Sequence, residues 1–134
     1  MMIQLKRVYE ASSSSDGARF LVERLWPRGV KKSSLEINAW LKEVAPSVEL
    51  RKWFHHDPAR WDEFRRRYFT ELSKNPASSR PILEAARSGN VTLIYSSHDL
   101  EHNNAVALKG FLIQSLRTKK EGRPRELRLR SHRS

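Results

Sequence analysis

The sequence contains no cysteine, and this absence excludes several kinds of chemistry. Without a thiol the chain cannot form an internal disulfide, attack a substrate as a thiolate, bind a metal through sulfur or exchange thiols for disulfides. A chain without cysteine also fits a reducing compartment. Neither an apolar run long enough to span a bilayer nor the apolar segment of a signal peptide is present. These absences predict a soluble cytoplasmic protein that contacts no membrane.

Familiar catalytic motifs are absent as well. The chain has no glycine-rich phosphate loop, no serine-nucleophile elbow, no paired-carboxylate spacing and no internal repeat. His98 and His102 stand four residues apart, as in helical zinc sites, but Asp99 occupies the position of the glutamate in that pattern. His98 is also expected to precede the helix, and His56 to lie in a turn. The sequence therefore predicts no metal site and no cofactor.

The 134 residues suit one compact domain with a single core, and their charge is strongly positive. Lys and Arg number 26 against 15 acidic residues, for a formal net charge of +11. Eight basic and two acidic residues fall within 117–134, a segment too polar to offset its ordering entropy by burial. We therefore expect an α/β domain over 1–116 and a basic, mostly flexible tail over 117–134. The positive excess favours anionic partners.

Hydrophobic patterning predicts an α/β fold. Strands are expected over residues 3–9, 19–24 and 91–95. The last is apolar on both faces, which indicates a central strand. Helices are expected to begin at Ser33, Ser47, Asp57, Pro81 and about His102. At the first of these, Ser33 and Glu36 have the spacing of a capping box, and Pro46 would end the helix. The pattern predicts a small, mostly parallel sheet of three to four strands packed with about five helices, a layered Rossmann-like single domain.

Two polar segments follow predicted strands, and open α/β sheets bind ligands beyond the carboxyl ends of their strands. In the first segment, Arg24 and Arg28 flank Trp26 at a Pro-Arg-Gly turn. Guanidinium groups bind phosphate or carboxylate through two parallel hydrogen bonds, and an indole can stack on a planar group. The alternative is that Trp26 belongs to the core and that the arginines pair with Glu23 or Asp99.

The second segment, residues 96–104, leads from a strand into a helix whose amino terminus favours anions. Asp99 would act as a general base or nucleophile, or would orient the arginines. Its alternative role is a helix N-cap. Asn103 would position a ligand; the alternative is a side chain exposed at the helix end. His56 and Asp57 would close the site from a third segment.

These segments resemble a known bacterial family, domain of unknown function 488 (DUF488, YeaO-like), over residues 2–116. The motifs that carry the resemblance are Arg24-Leu25-Trp26-Pro27-Arg28-Gly29, Leu50-Arg51-Lys52-Trp53-Phe54, His56-Asp57-Pro58, Arg60-Trp61, Glu63-Phe64, Arg67-Tyr68 and Glu101-His102-Asn103-Asn104-Ala105. The resemblance implies a small cytoplasmic α/β protein without an established activity. Family members typically have Asp where this chain has Glu23, and commonly Arg or Lys where it has His98. The chain therefore lacks a fixed positive charge at position 98.

The leading hypothesis from the sequence is an enzyme, or a degenerate one, that binds a phosphorylated or nucleotide-like anion. Arg24 and Arg28 would neutralise the ligand, Trp26 would form a wall, and Asp99 would supply acid–base or nucleophilic chemistry for a hydrolase or transferase.

A second hypothesis is a non-catalytic module that binds nucleic acid. Its contacts would be Arg65, Arg66 and Arg67 on one helix, together with Lys119 and Lys120 in the tail. The alternative for the helix is an ordinary solvated face. A third hypothesis is a protein that serves only to bind a partner protein.

Overall fold

The computed structural model describes the backbone of residues 2–132 and the side chains of residues 2–118. Its strands are β1 (Ile3–Arg7), β2 (Ala18–Leu21), β3 (Ala39–Trp40) and β4 (Val91–Tyr95). Its α-helices are α1 (Val48–Phe54), α2 (Trp61–Lys74), α3 (Pro76–Ser88) and α4 (Asn104–His132). The predicted α/β class is confirmed, with four α-helices in the described residues instead of about five.

The four strands form one parallel sheet in the order β1-β4-β2-β3. Val91, at the start of β4, pairs with Ile3 on one side and with Ala18 on the other. Every residue of β4 is buried, as its two-sided apolar pattern predicts for a central strand. Because β2 and β4 are parallel neighbours, the segments that follow them begin at the same edge of the sheet.

The two faces of the sheet are covered differently. On one face, side chains such as Phe20 and Leu93 join a core to which all four helices contribute. On the other face, Leu21 and Ile94 are covered by the segment between β2 and β3, which includes Trp26, and by Trp40 of β3. The helices therefore form one layer, and a long connection replaces a second helical layer.

The prediction of a helix that begins at Ser33 is wrong. The chain instead makes two 3₁₀ turns, Lys32–Ser34 and Lys42–Val44, with β3 between them. Ala39 pairs with Phe20 along the free edge of β2, and the indole of Trp40 packs on the sheet. Burial of this apolar segment against the sheet outweighed the local capping-box pattern, as tertiary context often does.

The other predicted helix starts are largely observed. The Ser47 side chain accepts a hydrogen bond from the amide of Leu50 and caps α1, while Asp57 caps the 3₁₀ turn that leads into α2. Helix α3 begins at Pro76, ahead of the predicted Pro81. Helix α4 continues through the backbone of residues 117–132, whose side chains from 119 onward lie outside the described residues. The flexible tail stays a prediction.

Within the described residues, no helix combines the length and the apolar character needed to cross a membrane.

Candidate functional site

A cleft of about 630 Å³ opens where β2 and β4 end. Its walls come from six places: the segment after β2, the segment after β4, the turn before α1, α1 with the two histidines that follow it, α2 through Phe64, and the start of α4. The lining residues are Glu23, Arg24, Leu25, Ala45, Pro46, Val48, Arg51, Lys52, Phe54, His55, His56, Phe64, Ser96, Ser97, His102, Asn103 and Asn104. This volume lies in the range of small-molecule sites.

Glu23 and Ser96 join the two strand ends across the floor of the cleft. The amide of Val22 donates to the carbonyl of Ile94 at 3.1 Å, which continues the ladder by one residue beyond β2. One position further, the Ser96 hydroxyl donates to Oε1 of Glu23 at 2.9 Å. Burial raises the pKa of the Glu23 carboxyl, and the Ser96 hydrogen bonds and the charges of Arg51 and His56 act against that rise. Sequence reasoning did not select Glu23, although it directly precedes Arg24.

Three residues with a permanent positive charge line the same cleft as this carboxylate. Arg24 donates to the carbonyls of Ala45 at 3.1 Å and Pro46 at 3.4 Å, so its guanidinium braces the turn before α1. Arg51 and Lys52 are exposed on α1. Because the cleft has three permanent positive charges and one carboxylate in its lining, its field favours anions.

Two consecutive histidines at the mouth of the cleft have left-handed backbone conformations. His55 ends α1 with φ 49°, and His56 follows with φ 53°. Residues with a Cβ adopt this region at a cost of about 1–2 kcal/mol each, and strain of this kind often lies at binding sites. His56 also lines the cleft. Its role in closing the site over a ligand stays a prediction.

Asp99 does not line the cleft, but it contacts His102, which does. Its Oδ1 accepts hydrogen bonds from the amides of Glu101 and His102, both at 2.9 Å. Its Oδ2 lies 3.1 Å from Nδ1 of His102, whose ring also packs edge-on against Trp61. The backbone hydrogen bonds from Glu101 and His102 lower the pKa of Asp99. Asp99 thus closes a local turn ahead of α4 and orients a histidine.

Asn103 and Asn104 line the cleft but are held by the fold. Asn103 is buried; it donates to the carbonyl of Asp99 at 2.8 Å and accepts from the amide of Val106 at 2.9 Å, which caps α4. Asn104 donates to the carbonyl of Val22 at 2.8 Å and ties α4 to the end of β2. Both amides place the amino terminus of α4 against the cleft.

Trp26 and Arg28 lie apart from the cleft lining. Trp26 packs edge-on against Trp40, with ring centroids 5.2 Å apart, and its indole N–H donates to the carbonyl of Val30 at 2.6 Å. This is the core position that the sequence analysis held open as the alternative. Arg28 is exposed on the same turn. The structure therefore brings Arg24, His56 and Asn103 to the cleft and places Trp26 and Arg28 elsewhere.

Asp57 is used locally. It accepts a hydrogen bond from the amide of Ala59 at 3.0 Å and lies 3.7 Å from Arg60. Among the side chains described for residues 2–118, no group of three or more His, Cys, Asp and Glu residues is arranged to hold a metal ion.

The arginine face of α2 is largely engaged within its own helix. Glu63 pairs with Arg66 at 2.5 Å and with Arg67 at 2.8 Å, and the hydrogen bond from Arg66 contributes most to lowering the pKa of Glu63 to about 2. Arg65 lies over the ring of Phe69. The side chains of Lys119 and Lys120 lie outside the described residues, so binding of nucleic acid through this face stays a prediction.

Comparison with known proteins finds uncharacterised relatives. Uncharacterized protein YeaO of Escherichia coli (strain K12) is 42% identical over 112 residues, which cover 84% of this chain and 97% of the relative. Uncharacterized protein Rv3073c of Mycobacterium tuberculosis (strain ATCC 25618 / H37Rv) is 39% identical over 110 residues, which cover 82% of this chain and 92% of that protein. No solved structure matches the chain.

A family model described as the inactive DUF488-N3 subclade matches residues 2–128. The match includes every residue that lines the cleft and extends past residue 116, where the sequence analysis placed the end of the domain. The resemblance noted in the sequence is confirmed: this chain belongs to the DUF488 family, in its inactive N3 subclade.

Proposed function

We propose that this protein binds a phosphorylated or nucleotide-like anionic ligand in the cleft at the ends of β2 and β4, and that it holds the ligand without turning it over. The observation that carries the proposal is the lining of the cleft, which among the described residues contains three permanent cations, Arg24, Arg51 and Lys52, and a single carboxylate, Glu23. The site also has the position that ligands favour in parallel α/β sheets.

Two further features support an anionic ligand. The amino terminus of α4 adds the positive end of a helix dipole to the lining of the same cleft. Arg51 and Lys52 are exposed, so a ligand could gain their charge without first breaking internal ion pairs. Charged hydrogen bonds of this kind contribute about 1.5–3 kcal/mol each.

Binding without turnover is favoured by the arrangement of Asp99 and by the family. Asp99, the carboxylate that the sequence suggested for acid–base or nucleophilic chemistry, already accepts two backbone hydrogen bonds and faces His102. The family description uses the word inactive. Both points favour a degenerate enzyme that retains a binding cleft over a working hydrolase or transferase.

The test is calorimetric titration with inorganic phosphate, pyrophosphate and AMP at low salt. We expect at least one of these anions to bind, and Arg51→Ala to weaken that binding about tenfold or more, since one charged contact is lost. Arg87→Ala is the matched control, because Arg87 is an exposed arginine of α3 that does not line the cleft. Failure of all three anions to bind the wild-type protein, or equal weakening by both substitutions, would contradict the proposal.

A further inference from the structure

Glu23 places a negative charge inside a cleft that otherwise attracts anions. Among the residues that the structure describes, it is the one acidic side chain in the lining. A carboxylate in this position opposes a small bare anion, because two like charges would share a partly enclosed space. The ligand therefore needs a group that donates a hydrogen bond to the Glu23 carboxylate.

The Glu23 residue is held in place by hydrogen bonds, and its carboxylate can still accept further hydrogen bonds. The Ser96 hydroxyl bonds Oε1, and the Glu23 backbone carbonyl accepts the indole N–H of Trp40 at 2.7 Å, so both ends of the residue are anchored. An ionised carboxylate offers about four acceptor positions. The hydroxyl and amide of Ser96 are the donors close to it in the described structure, which leaves positions open toward the cleft.

The cleft is larger and less polar than a bare phosphate requires. Its volume of about 630 Å³ suits a small organic molecule, and part of its lining is apolar, from Val48, Phe54 and Phe64. Cations, a hydrogen-bond acceptor and apolar wall thus meet in one space. A matching ligand has an anionic group, at least one hydroxyl group and a carbon framework.

We infer that Glu23 determines the specificity of the cleft by accepting a hydrogen bond from a hydroxyl group of a sugar phosphate, whose phosphate group lies among Arg24, Arg51 and Lys52. The inference rests on the proposed function, since it assigns the second half of the same ligand. Sites that bind a hydroxyl through a buried polar group reject analogues without it strongly, because the polar group is then left without a partner. Glu23 is thus a specificity residue, distinct from the cations that supply affinity.

The experiment compares ribose 5-phosphate with ethyl phosphate, which carries the same charged group without hydroxyl groups. By calorimetry we expect the wild-type protein to bind ribose 5-phosphate at least tenfold more tightly. Glu23→Ala should remove this preference while ethyl phosphate binds as tightly as before, or more tightly. Glu23→Gln keeps the side-chain volume and should reduce the preference. Glu84→Gln, at an exposed position of α3, is the matched control.

The outcomes separate this inference from the proposed function. Equal affinity of the wild-type protein for the two esters overturns the inference. This comparison uses no variant, so it does not depend on whether a variant folds. A preference that persists in folded Glu23→Ala protein, or that is undiminished in folded Glu23→Gln protein, also overturns it. If both esters bind without preference, the anion site stands and the role of Glu23 fails. If neither ester binds, the inference fails; if inorganic phosphate, pyrophosphate and AMP also fail to bind, the proposed function itself fails.

Discussion

Oδ2 of Asp99 lies 3.1 Å from Nδ1 of His102, while its Oδ1 accepts hydrogen bonds from the backbone amides of Glu101 and His102. Asp99 thereby fixes both the entry to α4 and the orientation of an imidazole that lines the cleft. The Asp99 side chain therefore links the turn at residues 99–102 to the position of the His102 ring in the cleft. The same contacts make the stability of this region dependent on pH.

Asp99→Asn should reduce the loss of stability at low pH. Hydrogen bonds from the amides of Glu101 and His102 lower the pKa of folded Asp99 below its ordinary value of 3.8. The stabilisation is therefore present above about pH 3.8 and is lost as the pH falls through the folded pKa. Urea unfolding at pH 7 and near pH 3 should show a smaller difference for Asp99→Asn than for the wild type. Glu84→Gln is the control, and identical pH dependence of wild type and Asp99→Asn would refute the assignment.

Tyr68→Phe should destabilise the wall of the cleft. The Tyr68 ring is fully buried, and its hydroxyl donates to the carbonyl of Val44, just before the Ala45 and Pro46 carbonyls that hold Arg24. Removing a donor from a buried acceptor costs about 1–3 kcal/mol. Chemical denaturation measures the loss, and a change below about 0.5 kcal/mol would show that this hydrogen bond contributes little.

Asp16→Asn should be strongly destabilising without touching the cleft. The Asp16 side chain is 1% exposed and pairs with Arg19 at 2.5 Å and Lys6 at 2.9 Å. Burial acts to raise the pKa of Asp16, but hydrogen bonds from Lys6, Ser13 and Arg19 outweigh it and leave the pKa below 3.8. Breaking a buried ion pair costs about 3–5 kcal/mol.

The Asp16 variant is measured by thermal unfolding at neutral pH, where the wild-type carboxylate is ionised. Lys6→Met, which removes the partner with the more accessible side chain, should cost less than Asp16→Asn. The reverse order would mean that Asp16 is not the centre of this cluster.

His56→Gly should separate stability from binding. A residue with a Cβ at φ 53° is strained by about 1 kcal/mol or more, and glycine relieves this strain, although its greater freedom in the unfolded chain offsets part of the gain. We expect unchanged or slightly increased stability together with weaker binding of the anion identified by titration. Calorimetry and thermal unfolding on the same preparation measure both. Unchanged affinity would remove His56 from the site.

Much of the fold follows from local patterns along the chain. The apolar run at Val91–Tyr95 predicted the central strand, and the caps at Ser47 and Asp57 marked the beginning of α1 and of the turn before α2. The cap signal is reliable because its hydrogen bonds are made within a few positions, and the strand signal because residues that are apolar on both faces are stable only where both faces are covered.

The candidate site could be predicted only in part. The ends of β2 and β4 were selected by the general rule for parallel sheets, and Arg24, His56 and Asn103 from those expectations line the cleft. Glu23 was missed because a carboxylate next to an arginine reads as an ion pair in the sequence. Its contact with Ser96, 73 positions along the chain, depends on strand pairing.

The sequence by itself determined where polar groups follow buried strands, since that order is written in neighbouring residues. The tertiary structure alone decided that residues 33–44 contain a strand and that Glu23 is the carboxylate of the cleft. It also decided that Trp26 packs against Trp40 on the face of the sheet opposite the helices. Each of these outcomes depends on which apolar surface a segment buries and against which distant partner. That choice is a free-energy balance over the whole domain, and no short window of sequence contains it.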